Sequence, residues 1–332
     1  MTRTQETALP RHHAWNAVQN LPDGPLDLVG DIHGELPTLD TLLGHLGYTP
    51  SGTHPQGRRL VFLGDLIDRG PDSPGVVRRV ADMVERGRAF ALMGNHDLNA
   101  ILRLPKKENT WLFDHGPVSE TETKVANDRD REEILGFLAR LPVALRRDDL
   151  RLVHACWDDA ALKLLEGETG ATQAFSRHKE RIKATLGANA DPIARNLALQ
   201  NGNPMKLVTS GPEVRAPQPF FAGGKERHEA RHPWWNDCAA GPMVVFGHYW
   251  RIPVTGIQKD DGLFRGVPLN RTLGHGHAMC IDYSVGGRWH DRKEGRLHGP
   301  FTGRLAALRW PERTLVFDNG EQATLDQPGR DA

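Results

Sequence analysis

Three short apolar runs in the first hundred residues each stop at a glycine that is followed by aspartate or asparagine. They are residues 26–29 before Gly30-Asp31, residues 60–63 before Gly64-Asp65 and residues 89–93 before Gly94-Asn95. Apolar residues at helical spacing follow the first two runs, and the second of these helices is predicted to start at Ser73 as N-cap, with Pro74 in the first helical position. Successive strand–loop–helix units predict parallel strands with right-handed crossovers and functional groups at the strands' carboxyl ends.

The rest of the chain carries weaker patterns. A helix is predicted over residues 132–141, and strands over residues 150–153, 243–246 and 278–283. Residues 305–310 and 314–317 flank a turn and predict a hairpin.

The interval between residues 158 and 242 shows no strand period. Helices are predicted over residues 160–165 and 171–186, and a polar stretch rich in Pro and Gly follows to residue 235. We therefore expect an N-terminal tail over residues 1–25 and one domain over 26–332, with a partly helical, cap-like insertion at about 158–242.

Composition excludes several classes of protein. The 332 residues contain 42 Lys and Arg against 42 Asp and Glu, which argues against a dedicated nucleic-acid binder. Hydrophobic residues at 38% and charged residues at 25% are ordinary for a globular protein. No apolar run reaches about 18 residues and the first twenty residues are polar, so we expect a cytoplasmic protein without a membrane partner. Three widely spaced cysteines indicate neither a disulfide framework nor a zinc clip.

Five predicted strand ends carry groups that bind metals, protons or anions. In chain order these are Asp31 with His33, Asp65 with Asp68 and Arg69, Asn95 with His96 and Asp97, His154, and His248. Each motif alone is more often a turn or a helix cap, but buried polar groups at five strand ends are costly unless they are paired or bound to metal. Carboxylate, imidazole and amide ligands together favour Mn, Fe, Zn or Co over Ca or Mg.

The same motifs resemble those of the calcineurin-like metallophosphoesterases. The resemblance is carried by Gly30-Asp31-Ile32-His33-Gly34, Gly64-Asp65-Leu66-Ile67-Asp68-Arg69-Gly70, Gly94-Asn95-His96-Asp97, His154 and Gly247-His248. The Asp-Arg-Gly of the second motif resembles the phosphoprotein-phosphatase branch, with its bacterial Ser/Thr phosphatases and symmetrical diadenosine tetraphosphatases. The implied fold is an α/β metallophosphoesterase β-sandwich flanked by helices.

The resemblance also implies a site with two divalent metal ions, Mn first among the candidates, and attack of a metal-bound hydroxide on phosphorus. It implies Asp31 and His33 as ligands of one metal, Asp65 as the bridge, and Asn95, His154 and His248 as ligands of the other. His96 would be the general acid, Asp68 would orient it, and Arg69 would bind phosphate oxygens.

The substrate stays open at this point. Asp97 at the end of the third motif resembles the diadenosine tetraphosphatase group, and this resemblance implies a small phosphomonoester or a nucleotide polyphosphate such as diadenosine tetraphosphate. A protein Ser/Thr phosphatase is the alternative, followed by a nucleic-acid phosphodiesterase and a non-catalytic binding scaffold.

Further substrate contacts are less specified by the sequence. Arg215, Arg251 and Tyr283 are candidates in addition to Arg69. The pair Trp234-Trp235 is interpreted as an anchor of the insertion, with a platform for a nucleotide base as the alternative. Cys156 is expected to be a packed thiol.

Overall fold

The computed structural model describes residues 15–113, 125, 127–187, 190–222, 225–238, 240–253 and 262–326. Its strands, in chain order, are β1 (Val18–Asn20), β2 (Leu26–Val29), β3 (Arg59–Phe62), β4 (Ala89–Ala91), β5 (Ala144–Arg147), β6 (Leu150–Val153), β7 (Glu213–Ala222), β8 (Lys225–Arg231), β9 (Met243–Phe246), β10 (Ala278–Cys280), β11 (Ala306–Trp310), β12 (Thr314–Phe317) and β13 (Gln322–Thr324). Its α-helices are α1 (Leu36–Leu46), α2 (Ser73–Glu85), α3 (Asn95–Ile101), α4 (Asp128–Arg140), α5 (Asp159–Leu164), α6 (Ala171–Thr185), α7 (Pro192–Gly202), α8 (Pro204–Ser210) and α9 (Arg288–Lys293).

The first sheet has the strand order β13-β12-β11-β2-β3-β4. Strands β2, β3 and β4 are parallel neighbours, as their strand–loop–helix pattern predicts. Strands β11 and β12 form the predicted antiparallel hairpin, and β11 continues the sheet antiparallel to β2.

The second sheet has the order β1-β5-β6-β9-β10. Strand β1 pairs in parallel with β5, although it lies in the segment expected to be an N-terminal tail, and Ala17 beside it is buried. The pattern missed β1 because it is three residues long, at a sheet edge, and shows no alternation of apolar and polar residues.

The two sheets pack face to face, which confirms the predicted β-sandwich. Alternate residues of each strand enter different cores: Val61 lies between the sheets, whereas Leu60 and Phe62 face the helices outside. Leu152 and Val245 contribute to the same inner core from the second sheet. Both faces of β3 are buried, which explains its continuous apolar run.

The segment 158–242 is richer in structure than its sequence suggests. Helices α5 and α6 confirm the predictions for residues 160–165 and 171–186. The polar stretch rich in Pro and Gly, for which the sequence predicts no element, contains α7, α8 and the antiparallel hairpin of β7 and β8. Phe220 and Phe221 of β7 are exposed, and the hairpin pairs with neither sheet, so no period-two burial pattern marks it.

Two smaller points complete the fold. Helix α2 is capped by Asp72, whose carboxylate accepts the amide N–H of Gly75, so the N-cap lies one residue before the predicted Ser73. Within the part of the chain that the structure describes, no helix is long and apolar enough to span a membrane.

Candidate metal centre

The carboxyl ends of β2, β3, β4, β6 and β9 bring the predicted strand-end side chains into one cluster. Ligand atoms of His33, Asp65 and His96 all lie within 4.8 Å of one another, and those of Asp65, His154 and His248 form a second group at the same spacing. These side chains are buried. Asp65 belongs to both groups, as a residue shared by two sites would.

The group around His154 is tightly packed. Asn95 Oδ1 lies 2.7 Å from His248 Nδ1 and 3.3 Å from His154 Nε2. His154 Nε2 lies 3.4 Å from Asp65 Oδ2, while its Nδ1 lies 2.7 Å from the carbonyl oxygen of Leu63. Nδ1–H donates to that carbonyl, which leaves Nε2 to face the cluster.

The group around His33 is more open. His33 Nε2 lies 3.7 Å from Asp65 Oδ2 and 4.0 Å from Asp31 Oδ2. Its Nδ1 lies 3.1 Å from the carbonyl oxygen of Ile67, which again leaves Nε2 facing the carboxylates. Asp31 is held from the other side by the amide N–H of His248, 3.2 Å from each of its carboxylate oxygens.

The backbone around the cluster adopts unusual conformations. Several non-glycine residues have left-handed φ angles, namely His33 (48°), Asp65 (48°), Asp68 (73°), Arg69 (72°) and His248 (68°). Such conformations persist where the surrounding structure enforces them, commonly at functional sites.

Two glycines also lie against the carboxylates of the cluster. A Cβ at Gly247 would lie 2.1 Å from Asp31 Oδ1, and one at Gly94 would lie 2.2 Å from Asp65 Oδ1. Glycine is therefore required for the backbone to approach these carboxylates.

The electrostatics of the cluster favour a positive charge within it. Burial, together with the nearby carboxylates Asp282 and Asp65, raises the pKa of Asp31 well above its usual range. Burial also opposes ionisation of Asp65, but the imidazoles of His154 and His96 overcome it and lower its pKa well below the usual value. Burial lowers the pKa of His154, yet the carboxylates of Asp65 and Asp31 raise it to about 10.

His96 is part of a separate hydrogen-bonded pair with Asp68. His96 Nδ1 donates to Asp68 Oδ2 at 2.7 Å, and the indole N–H of Trp111 donates to the other carboxylate oxygen at 2.7 Å. Asp68 is further fixed through its backbone N–H, which donates to Ser73 Oγ at 2.9 Å. With Nδ1 engaged, Nε2 is the atom of His96 that can exchange a proton with a bound molecule.

Arg69 lies across both histidines at the edge of the cluster and is half-buried. It donates from Nη1 to His33 Nε2 at 2.7 Å and from Nη2 to His96 Nε2 at 3.0 Å. Its guanidinium also lies over the ring of Trp250, 4.7 Å from the centroid.

The other expected substrate contacts are placed elsewhere. Arg215 forms an exposed ion pair with Asp191 at 2.5 Å. Arg251 is buried and donates to the carbonyl oxygens of Pro268 (2.5 Å) and Cys280 (3.2 Å). The hydroxyl of Tyr283 donates to the carbonyl oxygen of Leu269, and its ring packs against Phe317. Since their described contacts lie outside the cluster, the structure does not support these three residues as substrate ligands.

The tryptophan pair is buried in the core, so it offers no platform for a base. Trp234 lies against Phe246, and Trp235 stacks on Phe246 and Phe264 at ring-centroid distances of 5.3 Å. Both indoles thus anchor the segment, as the sequence interpretation favoured. Cys156 is also buried, and burial raises the pKa of its thiol.

Two residues that the sequence analysis did not single out reach the site. Arg231, on β8, donates to the carbonyl oxygen of His248 at 3.0 Å. Asp282 accepts the amide N–H groups of Trp250 and Ser284, each at 2.8 Å. Asp282 follows a buried apolar strand, the same signal that marked the other motifs, whereas nothing in the sequence of β8 distinguishes Arg231.

The chemistry of the cluster fits divalent transition metals. Two carboxylates, three imidazoles and one amide oxygen converge, a mixture of oxygen and nitrogen donors that suits Mn, Fe, Zn and Co. The glycine contacts at Asp31 and Asp65 keep these carboxylates in place. His33 and His154 each donate a hydrogen bond from Nδ1 to a backbone carbonyl, as metal-bound histidines typically do.

Comparison with known proteins shows which sequences this chain resembles. Residues 24–181 match the family model described as calcineurin-like phosphoesterase. The chain is 45% identical over 138 residues to the asymmetrical bis(5'-nucleosyl)-tetraphosphatase PrpE of Oceanobacillus iheyensis, covering 39% of this chain and 54% of that protein. It is 32% identical over 131 residues to the symmetrical bis(5'-nucleosyl)-tetraphosphatase of Ralstonia nicotianae, covering 40% of this chain and 41% of that protein. The chain thus spans about half the length, or less, of the curated relatives it matches.

Among solved structures, a cold-active protein-tyrosine phosphatase of a psychrophilic Shewanella is similar with a TM-score of 0.50 and 16% identity, covering 95% of this chain and 84% of that one. At this identity the similarity shows the fold alone.

Proposed function

We propose that the chain is a two-metal phosphohydrolase acting on a nucleotide polyphosphate, because residues 24–181 match the calcineurin-like phosphoesterase family model. The observation that carries the proposal is that buried ligand atoms lie on two sides of Asp65, those of His33 and Asp31 on one side and those of His154 and His248 on the other. The His96–Asp68 pair and Arg69 border the same cluster. Such a site combines a metal centre, a proton donor and an anion-binding side chain.

In the proposed site Asp31, His33 and Asp65 hold one divalent metal ion, and Asp65, Asn95, His154 and His248 hold the other. When bound, the two ions supply positive charge for the phosphoryl oxygens and lower the pKa of water. Manganese is the metal that we propose first. The side chains of the cluster are almost completely buried, so the attraction of its carboxylates for a metal ion is weakly screened by water.

His96 is proposed to deliver the proton to the leaving oxygen. Its Nδ1 is bound to Asp68, so Nε2 is the nitrogen that faces the site, and Nε2 can carry the proton once Arg69, which donates to it in this structure, turns to the phosphate oxygens. Arg69 donates two N–H groups to the neighbouring histidines and can turn this planar fork toward phosphate oxygens.

The substrate class is supported by the relatives, since both curated proteins described above are named tetraphosphatases. A polyphosphate carries several negative charges. In addition to Arg69, the site has the guanidinium of Arg231, which lies beside His248. The alternative from the sequence analysis is a protein Ser/Thr phosphatase, and the following experiment distinguishes it from the proposed function.

The test is hydrolysis by the full chain, stripped of metal and reloaded with Mn. Diadenosine tetraphosphate, p-nitrophenyl phosphate, its bis ester and a phosphoserine peptide are compared by turnover, and nucleotide products are separated by chromatography. We expect metal-dependent activity with the highest kcat/KM on diadenosine tetraphosphate. Two ADP would indicate symmetrical cleavage, and ATP with AMP asymmetrical cleavage. Preference for the peptide would replace the substrate assignment, and inactivity with Mn, Fe, Zn and Co would refute the proposal.

A further inference from the structure

Trp250 occupies a constrained position two residues after His248. Its φ is 57°, a left-handed conformation that is rare for a bulky side chain. The backbone N–H of Trp250 donates to Asp282 Oδ2 at 2.8 Å, and this buried carboxylate also binds the N–H of Ser284. A hydrogen bond to a buried carboxylate can offset the cost of the unusual backbone angle. The local fold therefore fixes the direction in which the indole leaves the chain.

The indole is half-buried, and it faces Arg69. The guanidinium carbon lies 4.7 Å from the ring centroid, within the range of a cation–π contact. Among the described residues, the other arginine–tryptophan contact of this kind joins Arg151 and Trp157, at 5.2 Å, and the indole N–H of Trp157 donates to Asp159.

The remaining sides of Arg69 are also restricted. Arg292 donates to its backbone carbonyl at 3.3 Å and is itself paired with Glu35 at 2.5 Å. A Cβ at Gly286 would lie 2.9 Å from Arg69 Nη1 and 2.5 Å from His33 Cδ2, so this backbone passes close to the guanidinium. The backbone of Arg69 is thus held in place, while the orientation of its long side chain depends on Trp250 and the two histidines.

We propose that Trp250 is a positioning residue, which holds the Arg69 guanidinium in the plane that binds phosphate oxygens. The inference rests on the proposed function, because Arg69 is taken to be the phosphate-binding arginine. An arginine side chain has several rotatable bonds, and a fixed aromatic face selects among its rotamers without removing any N–H donor. The ring therefore acts through Arg69 and occupies none of its N–H groups.

The kinetic test compares Trp250→Leu, Trp250→Phe and the matched control Trp157→Leu in the Mn-loaded full chain. Loss of the aromatic face should lower kcat/KM by about 3-fold to 30-fold, the fold-change that corresponds to a cation–π contact. Trp250→Phe keeps a face for the guanidinium and should recover most of this loss. Trp157→Leu removes a comparable contact elsewhere and should leave kcat/KM unchanged.

Two comparisons separate positioning from other roles of the ring. In an Arg69→Met background, Trp250→Leu should cause no further loss, because the residue through which it acts is gone. The loss should also be equal for p-nitrophenyl phosphate and diadenosine tetraphosphate. A full additional loss in the Arg69→Met background, or a loss confined to the dinucleotide, would overturn the proposal, the latter by making Trp250 a base contact.

A readout independent of activity is the NMR signal of the Arg69 Nε–H group, assigned with Arg69→Lys. The ring current should shift this signal upfield in the wild type, and Trp250→Leu should reverse the shift, whereas Trp157→Leu should not. An unchanged signal in Trp250→Leu would overturn the inference. If the wild type proves inactive on every substrate, the proposed function fails, and the NMR comparison still decides whether Trp250 orients Arg69.

Discussion

At the scale of single residues, the chemistry depends on which nitrogen of each histidine faces the cluster. His33 and His154 turn Nδ1 toward backbone carbonyls, which assigns Nε2 to the ligand side. His96 gives Nδ1 to the Asp68 carboxylate instead. A histidine oriented by a buried carboxylate is suited to proton transfer, so His96 and the ligand histidines should respond differently to substitution.

Replacing His96 with Ala should therefore reduce turnover without removing metal. On a substrate with a poor leaving group, such as an alkyl phosphate, the expected loss of kcat is about 100-fold or more, the size of general-acid catalysis. Metal content, measured by elemental analysis of the purified protein, should stay near the wild-type value.

The companion variant is Asp65→Ala, which should lose metal because Asp65 is common to both ligand groups. A substrate such as p-nitrophenyl phosphate has a good leaving group that needs little protonation, so it should show a smaller defect in His96→Ala. Full activity of His96→Ala on the alkyl phosphate would refute the general-acid assignment.

Gly247 gives a second prediction at this scale. A Cβ there would lie 2.1 Å from Asp31 Oδ1, a distance that real Cβ atoms do not reach, so Gly247→Ala must displace the carboxylate or the strand end. We expect lower metal content and lower kcat. Gly241→Ala is the matched control, because a Cβ at Gly241 meets nothing within 4 Å. Equal metal content in the two variants would contradict the tight approach at Gly247.

At the scale of elements, the hairpin of β7 and β8 contributes to the site through Arg231. Arg231 binds the carbonyl oxygen of His248 and lies over the ring of Tyr249, 5.3 Å from its centroid. Burial, together with the positive charge of Arg231, lowers the pKa of His248 well below its usual value. The hairpin thus helps to keep His248 neutral, the form in which imidazole binds metal.

In the proposed site, the guanidinium of Arg231 also attracts the negatively charged polyphosphate. Arg231→Ala should therefore raise KM for a polyphosphate by about 10-fold, the size expected for the loss of one charge-assisted contact. Steady-state kinetics with diadenosine tetraphosphate provide the measurement. Arg215→Ala is the matched control from the same hairpin, since the guanidinium of Arg215 forms an exposed ion pair with Asp191 instead. A KM increase of the same size in both variants would contradict the specific role of Arg231.

Elements also show what the sequence can and cannot predict. Strands β2, β3 and β9 were predictable because each is buried on both faces and stops at a polar residue. The same stops identified the side chains that come together in the cluster, although their roles stay predictions. Strand β1 and the β7–β8 hairpin were not predictable, since short edge strands and exposed strands carry no burial pattern. Arg231 was also not predictable, because the partner of an arginine depends on tertiary packing.

At the scale of the whole molecule, the ligand cluster couples proton binding, metal binding and stability. The carboxylates of Asp65 and Asp31 outweigh burial and raise the pKa of His154 to about 10. Because this folded-state pKa exceeds the unfolded value, the proton on His154 stabilises the metal-free protein fully below about pH 6.5, and this stability is lost as the pH rises toward 10. A metal ion needs neutral His154, so it must displace this proton.

Manganese should therefore bind more tightly as the pH rises, by up to about tenfold per pH unit for each proton displaced. Stabilisation by ligand binding grows with affinity, so the increase in Tm caused by a fixed Mn concentration should be larger at about pH 8 than at about pH 6. Calorimetry in two buffers of different ionisation enthalpy should detect about one proton or more released per protein at pH 8. Proton release of zero in the wild type, with Mn bound, would show that His154 is already neutral and would contradict this coupling.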